Sequence, residues 1–542
     1  MQLSQQIQAD FVDLISLRIE DPNIVPGITR QLWHCLSEHS LTCNRVMFPN
    51  SPRASHRNGH INIVHGRHGL VVAPTRLIYV GSIREDDPAR LVDGERCLCE
   101  GGYIVLSYCW GETPTSAPWL LTTNTVETFK QAIPSAVLPQ TLHDAIVFTR
   151  ELGEKYIWID SLCIIQDSKI DWDIEASRMA SIYGSATMTL VAASSSVYGG
   201  LSDQRNPLRH CASTLMLSDR SPVYILPGDH PAQPSVQVKP TESRAWCYQE
   251  NLLSSRLIQF TRQQVRWQCM QSRPPLRAQG LAQPFKHPQH RWYMIWYRLI
   301  EEYMRKSITF QADRLPAFSG ISSDALGKNC IAGVAQNDPW VGLLWCRDET
   351  QFRVRPSHRH NLYIAPSWSW ASVDAPILFR ESRERNKPTY DLLPVYYDPV
   401  LHYMRARPLS DPSTGAVRSG ALELTAYTSL ACTRSDESLL FSGNGGPHLT
   451  GRRNLRHIRT GRLIGLVIFD VTAEASDGQM ICCVLLHTVH QGLWEKNGTA
   501  GLGLALGVRK VTSELIICAR VGYVQLIADF AELCHRQRLK II

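Results

Sequence analysis

Between about residue 100 and residue 270 the apolar positions alternate between two periods. Tyr103–Cys109 is an apolar run broken only by Ser107, and it runs into Trp110-Gly111. That is the pattern of a strand buried on both faces ending in a turn. Leu142, Ala145, Ile146, Thr149 and Leu152 then fall at helical spacing. Thr141 stands where it could cap the first turn, Asp144 favours the helix's positive end, and Gly153 supplies a stop. Tyr156–Asp160, extending through Cys163-Ile164-Ile165, reads as a second buried strand. A helix follows from about Asp171, and Ala186–Ala192 reads as a third strand. Strands alternating with helices predict a mostly parallel sheet with helical crossovers, that is, a Rossmann-like α/β domain. Ligands of such sheets gather beyond the carboxyl ends of the strands, which here carry Ser107 to Gly111 and Asp160 to Asp167.

The pattern changes on either side of this region. Residues 1–95 read as a helical and irregular lead that ends in the strand-like run Arg76–Gly81, and 96–270 as the α/β core. Residues 271–375 read as a helical, Trp-rich extension, and 376–542 as a β-rich C-terminal domain of short apolar runs split by Gly, Ser, Asp and Pro. A chain of 542 residues is long enough for several such cores. The 56 basic against 49 acidic residues leave a net charge of only +7. The one dense basic cluster, Arg452-Arg453 through Arg462, reads as a solvated loop, which argues against a nucleic-acid surface. No basic leader precedes an apolar run, and no stretch is long and apolar enough for a membrane span. The 16 cysteines form no paired C-x-x-C framework and read as buried small hydrophobes. The expectation is a soluble, cytoplasmic protein.

Five blocks in this chain resemble the fungal heterokaryon-incompatibility (HET) domain family. They are Tyr103-x-x-Leu106-Ser107-Tyr108-x-Trp110-Gly111; Leu138-Pro139-x-Thr141-x-x-Asp144-Ala145-Ile146; and Tyr156-x-Trp158-Ile159-Asp160-Ser161-Leu162-Cys163-Ile164-Ile165-Gln166-Asp167. Asp171-Trp172-x-x-Glu175-x-x-x-Met179-x-x-Ile182-Tyr183, continued by Gly200-Leu201, is the fourth, and Arg244-Ala245-Trp246-x-x-Gln249-Glu250 with Leu253-Ser254-x-Arg256 the fifth. The likeness runs more loosely into Pro366–Ser372 and to Trp33 near the start, while the segment from Ile331 to Trp345 looks shorter than the family's usual form. The resemblance implies a fungal protein of nonself recognition and programmed cell death. It also implies a distant likeness to TIR domains, some of which cleave NAD. NAD would then be a substrate, with no resident cofactor, and the partner a second copy or another incompatibility protein.

Glu175 is the position richest in chemistry. On a helix Trp172, Glu175, Met179 and Ile182 share one face, so a carboxylate sits within an apolar stripe, where a charge needs a partner or a task. As a catalyst it would face the positive charge that develops on a ribose as its bond to nicotinamide breaks, as carboxylates do in glycosidases. The Trp172-x-x-Glu175 spacing is similar to the motif that bears the catalytic glutamate of TIR NADases. The competing reading is an ion pair with Arg178 or Arg150 that orients the helix. Ser107, Trp110, Asp160 and Trp172 are the candidate ligand contacts, with capping as the alternative for Ser107 and Asp160. Asp167 and Asp171 read as turn residues.

Other clusters read as structure. Cys109 and Cys163 have no histidine at a partner's spacing and read as packing. Cys35, His39 and Cys43 have helical spacing but no evident fourth ligand, so no metal site is expected. Trp292, Tyr293, Trp296, Tyr297 and Ile300 read as core, and Trp368-Ser-Trp370 as a strand with both rings on one side. No G-x-S-x-G, H-E-x-x-H, Walker A or strand-borne G-x-G-x-x-G sequence occurs. Three functions stay open: an NAD- or nucleotide-hydrolysing death effector, a non-catalytic signalling or assembly module, and an enzyme recruited to a small-molecule biosynthetic pathway.

Overall fold

The computed structural model describes residues 24–38, 73–82, 87–94, 102–112, 117–192, 196–201, 213–216, 222–225, 240–261, 265–270, 288–349, 357–379, 399–409, 415–435, 452–471, 474–476, 478–488, 499–512, 515–527 and 529–542. The chain divides into two compact units, residues 1–49 with 58–275, and 50–57 with 276–542.

The first unit holds a seven-stranded mixed sheet. Its strands are β1 (Arg76–Tyr79), β2 (Arg90–Asp93), β3 (Ile104–Ser107), β4 (Tyr156–Trp158), β5 (Met188–Ala192), β8 (Arg256–Phe260) and β9 (Val265–Cys269), with a separate hairpin of β6 (Ser213–Met216) and β7 (Pro222–Ile225). The order is β2-β1-β4-β3-β5-β8-β9. The central four pair in parallel, and β1, β2 and β9 add antiparallel edges. Every residue of β3, β4 and β5 is buried, as strands covered by helices on both faces must be. The helices are α1 (Ile24–Glu38), α2 (Gln140–Glu151), α3 (Lys169–Ser185) and α4 (Ala245–Leu253). From β3 the chain moves one way to β4, then crosses back to β5 and on to β8. The sheet is therefore doubly wound, with its switch point between the carboxyl ends of β3 and β5.

Two local expectations need correction. The apolar run from Tyr156 is not one strand: it leaves the sheet after Trp158, and Asp160–Cys163 forms a helical turn. The Asp160 carboxylate accepts the Ser161 N–H at 2.7 Å, a local bond that competes with the ladder. Thr141 does not cap α2, which starts after Pro139. Its side chain is buried and its Oγ accepts the Gly200 N–H at 3.0 Å, while Asp144 Oδ2 accepts the Leu201 N–H at 3.0 Å. The second sequence block thus holds the Gly200-Leu201 turn. Gly153 does end α2, at φ +79°.

The second unit joins a helical, Trp-rich part to a β-rich one. Helices α5 (Pro288–Tyr303) and α6 (Pro316–Ala325) bury the aromatic stripe, in which Trp296 meets Phe318 at 5.4 Å and Tyr297 meets Phe379 at 4.5 Å between ring centroids. Trp368 and Trp370 are both buried, but not on a strand: Trp370–Ser372 is a 3-10 turn, and the Trp370 indole donates to Gly333 O at 2.9 Å. Gly333 has φ +83°, and a Cβ there would lie 2.6 Å from the Trp370 ring, so glycine is required twice over. Among the described residues the C-terminal strands are β10 (Val400–Pro408), β11 (Val417–Arg434), β12 (Arg452–His457), β13 (Leu463–Phe469), β14 (Met480–Thr488), β15 (Thr499–Val511), β16 (Ile516–Ile527) and β17 (His535–Ile541).

These strands close on themselves. The far half of β11 pairs with both β12 and β14, and the path β12, β13, β16, β15, β14 returns to it. The result is a barrel without free edges around that circuit, and its interior is packed with Leu455, Val467, Phe469, Ile481, Val524 and Phe530. The Arg452–Arg462 segment is accordingly a barrel strand and turn rather than a solvated loop. Arg452 pairs with Glu349 at 2.6 Å and Arg462 with Glu532 at 3.0 Å.

One cation ties the barrel to the Trp-rich part. Arg520, on β16, is fully buried and bonds both oxygens of Asp470 at 3.0 and 3.1 Å. It also donates to the carbonyls of Leu343 and Trp345 and lies 3.5 Å over the Trp345 ring. Arg520→Met leaves the Asp470 charge buried without its principal partner, so we expect a loss of about 3–5 kcal/mol. Chemical denaturation should show that loss, and Asp470→Leu added to Arg520→Met should recover part of it.

Candidate functional site

Two polar clusters occupy the carboxyl ends of the parallel strands. The first lies at the end of β3, where the chain turns from Ser107 into Tyr108-Cys109-Trp110. Ser107 Oγ donates to Glu250 Oε2 at 2.6 Å, and Trp110 Nε1 donates to Asp160 Oδ2 at 2.9 Å. Tyr108 donates from its hydroxyl to Ser161 Oγ at 2.7 Å. Helix α4 and the residue before it supply the other side: Arg244 donates to Tyr108 O at 3.2 Å, and Cys247 lies 4.0 Å from the same carbonyl. Tyr183, from α3, donates to Leu106 O at 3.1 Å. Four of the five sequence blocks therefore converge on one buried knot.

Burial sets the electrostatics of this knot. It pushes the Glu250 carboxyl up to about 7, against the opposing pull of the Ser107 hydrogen bond. Asp160 is also raised by burial, with its bonds from the Trp110 indole and the Ser161 N–H working the other way. The Cys109 thiol is drawn down to about 7, first by its hydrogen bond with Cys247 and then by the Arg244 guanidinium. Cys247 moves up, by the same shared bond and by burial.

Glu175 stands in the second cluster, over the start of β1. It is 0% exposed, and among the described residues neither carboxylate oxygen has a hydrogen-bond partner of normal geometry. Burial raises its pKa; the Thr75 hydroxyl and the Arg76 guanidinium lower it by less. The expected ion pair does not form, because both arginines are used elsewhere. Arg178 donates to the Thr75 hydroxyl at 2.7 Å, and Arg150 to Val80 O at 3.0 Å. Arg76 pairs with Asp171, which also accepts the Ile165 N–H at 2.8 Å.

The structure thus gathers Ser107, Trp110 and Asp160 in one cluster and sets Glu175 in the other. Trp172, half-buried, meets Trp246 of α4 edge-on at 6.3 Å and carries the Lys169 ammonium 4.0 Å over its ring. Asp167 binds the Thr123 backbone and hydroxyl at 2.9 and 2.6 Å, so it tethers a second loop besides its own turn. Sequence reasoning gave Arg244, Cys247, Glu250 and Tyr183 no chemical role. The signal available for Arg244 and Glu250 was two charged residues bracketing the helix pattern Ala245-Trp246-x-x-Gln249, six positions apart on a segment otherwise apolar. Cys35 is buried and accepts from Arg256 Nε at 3.2 Å, whereas His39 and Cys43 lie outside the described residues. Among the described residues no group of His, Cys, Asp and Glu could hold a metal ion.

The fold and the knot define a doubly wound α/β domain whose strand ends are filled by its own polar side chains. Residues 103–250, from β3 through most of α4, match the family model described as Heterokaryon incompatibility protein (HET), so this segment is a HET domain. It is a minority of the chain, and it supports a heterokaryon-incompatibility type of protein. No curated protein and no solved structure matches the chain. Among the described residues no helix is long and apolar enough to cross a membrane.

The raised Glu250 pKa gives the fold a pH dependence of known sign. Below the unfolded value near 4.5 the carboxyl is protonated in both states and its stabilising contribution is complete. Between there and about 7 only the unfolded chain releases the proton, so stability falls as pH rises. A Glu250→Gln variant removes this slope. Denaturation midpoints at pH 5 and pH 8 should lie closer together in the variant, the difference corresponding to about 2–3 kcal/mol.

Proposed function

We propose that the HET domain hydrolyses the nicotinamide–ribose bond of NAD or a related nucleotide, with Glu175 as the catalytic carboxylate, in a protein of nonself recognition and cell death. The observation that carries this reading is a fully buried carboxylate that, among the described residues, makes no hydrogen bond of normal geometry, on a helix face that is otherwise apolar. An unsatisfied buried carboxylate costs several kcal/mol relative to an apolar side chain of similar shape. Stability alone would not retain it, whereas a task would.

The chemistry follows from the charge. As the bond from ribose C1′ to the nicotinamide nitrogen breaks, its electron pair leaves with nicotinamide and positive charge develops on the ribose. An ionised Glu175 stabilises that charge far better in a dry site than in water. Water then adds at C1′ and loses its proton, giving ADP-ribose, nicotinamide and one proton. The substrate would reach Glu175 by opening the exposed Arg178–Thr75 bond that closes its outer side. Trp110 and Trp172, both half-buried, offer ring surfaces for a base. Asp160 has lone pairs left over from its bonds to Trp110 and Ser161, and these suit a ribose hydroxyl. Ser107, already committed to Glu250, would hold the strand end in place. The switch point and the glutamate-bearing helix stand at the same end of the sheet, as this reading requires.

One observation favours a second reading. Ser107, Trp110 and Asp160 satisfy one another and their neighbours without a ligand, as expected of a rigid module that works by self-association or by capturing another incompatibility protein. NAD turnover by the purified full chain separates the two. Nicotinamide release by wild type, reduced about a hundredfold or more in a folded Glu175→Gln variant, is the expected result. Equal turnover by that variant would remove Glu175 from the chemistry. No turnover by wild type at concentrations that permit assembly would leave the assembly module as the function.

A further inference from the structure

The hydrolysis reading makes no use of the two sulfurs in the strand-end knot. Cys109 follows β3 directly, between Tyr108 and Trp110, and Cys247 lies one turn into α4. Both are free thiols and both are buried. Cys247 Sγ is 4.0 Å from Tyr108 O, the carbonyl of the peptide bond leading into Cys109, and each thiol is the largest influence on the other's ionisation. Arg244 donates to the same carbonyl at 3.2 Å and acts electrostatically on both sulfurs. Two thiols within reach of each other beside a fixed cation are the components of a reactive dithiol: one sulfur held as thiolate, the other placed to resolve it. Cys35 and Cys269 also share a buried cluster, with Arg256 Nε 3.2 Å from Cys35 Sγ. Cys163, by contrast, is pushed up to about 12 by burial.

We propose that Cys109 and Cys247 form a peroxide-reactive dithiol that closes into a disulfide between the end of β3 and α4. The Cys109 thiolate attacks one oxygen of a hydroperoxide, and the O–O bond breaks. Sulfur becomes a sulfenic acid, and the second oxygen leaves as water or an alcohol after taking up a proton. The Cys247 thiol then attacks the Cys109 sulfur, an S–S bond forms, and the hydroxyl leaves as water. Two thiols are oxidised by two electrons and one peroxide is reduced. The bond would link the segments that carry Ser107 and Glu250, so its formation changes the knot itself. The inference stands independently of whether the domain cleaves NAD.

The test uses the reduced full-length chain at pH 7, titrated with hydrogen peroxide, alkylated under denaturing conditions and mapped by mass spectrometry without reduction. The expected product is a linked pair of peptides containing Cys109 and Cys247, formed at a peroxide dose at least about tenfold below that which oxidises Cys163. Cys247→Ser should instead accumulate a Cys109 sulfenic acid that dimedone traps, and Cys109→Ser should leave Cys247 unreacted. Should either variant fail to fold, alkylation rates on the wild type decide. Cys109 should reach half its maximal rate near pH 7, and Cys163 only at far higher pH. Both cysteines remaining alkylatable at doses that oxidise the others, or Cys109 reacting no faster than Cys163 at pH 7, would overturn the proposal.

Discussion

Taking the Glu250 carboxyl out of water beside Ser107 is the constraint on which the HET domain's architecture turns. A carboxyl at that depth needs a donor, and the Ser107 hydroxyl supplies one at 2.6 Å. Ser107 is the last residue of β3 and Glu250 lies in α4, 143 positions further along the chain, so the bond fixes where the fifth sequence block docks. Arg244, on the residue before the same helix, fixes the angle of docking through Tyr108 O. Tyr108 and Trp110 then reach across to Ser161 and Asp160, which joins the first block to the third. Each polar group is satisfied by another block's side chain or backbone, and such a knot forms only when all the pieces are in place.

The same logic explains why Glu175 stands out. Elsewhere at the strand ends the half-buried acids have donors: Asp160 has an indole and a backbone amide, and Asp171 has Arg76 and the Ile165 amide. Glu175 lies within the influence of Arg76 and Arg178, yet both guanidinium groups are oriented toward other acceptors. The domain thus combines a satisfied knot at its switch point with a carboxylate over β1 that, among the described residues, lacks a hydrogen bond of normal geometry. Trp172 against Trp246 connects the helices that carry the two. In the second unit Arg520 plays the organising part. A planar cation with five donors can bind one carboxylate and two carbonyls while lying on an indole, and a lysine could not.

The mostly parallel core was legible because its signals are local and redundant. The runs at Tyr103 and Ala186 are apolar without alternation, and a strand buried on both faces requires that. The stripe Glu175, Met179, Ile182 is buried as its spacing implies, and the Trp292 to Ile300 stripe is core. The errors fell where a side chain had a choice of partners. Thr141 could cap its own helix or hold Gly200, and nothing within six residues of it distinguishes the two. The Arg452–Arg462 segment looked like a loop because its charges suggested water, whereas Glu349 and Glu532, remote in sequence, receive them.

What the sequence determined by itself is therefore the class of the first domain, the strand ends at Ser107 and Ala192 and the helix face that carries Glu175. These follow from periodicity, glycine stops and local burial, which act over a turn or a strand. Tertiary structure alone decided which polar groups meet: that Ser107 serves Glu250, that Arg178 and Arg150 bond elsewhere than to Glu175, that Cys109 lies beside Cys247, and that the C-terminal strands close into a barrel. Hydrogen bonds and ion pairs are short-ranged and directional, so their partners depend on the folded positions of segments far apart in the chain. Hydrophobic periodicity carries no record of those positions.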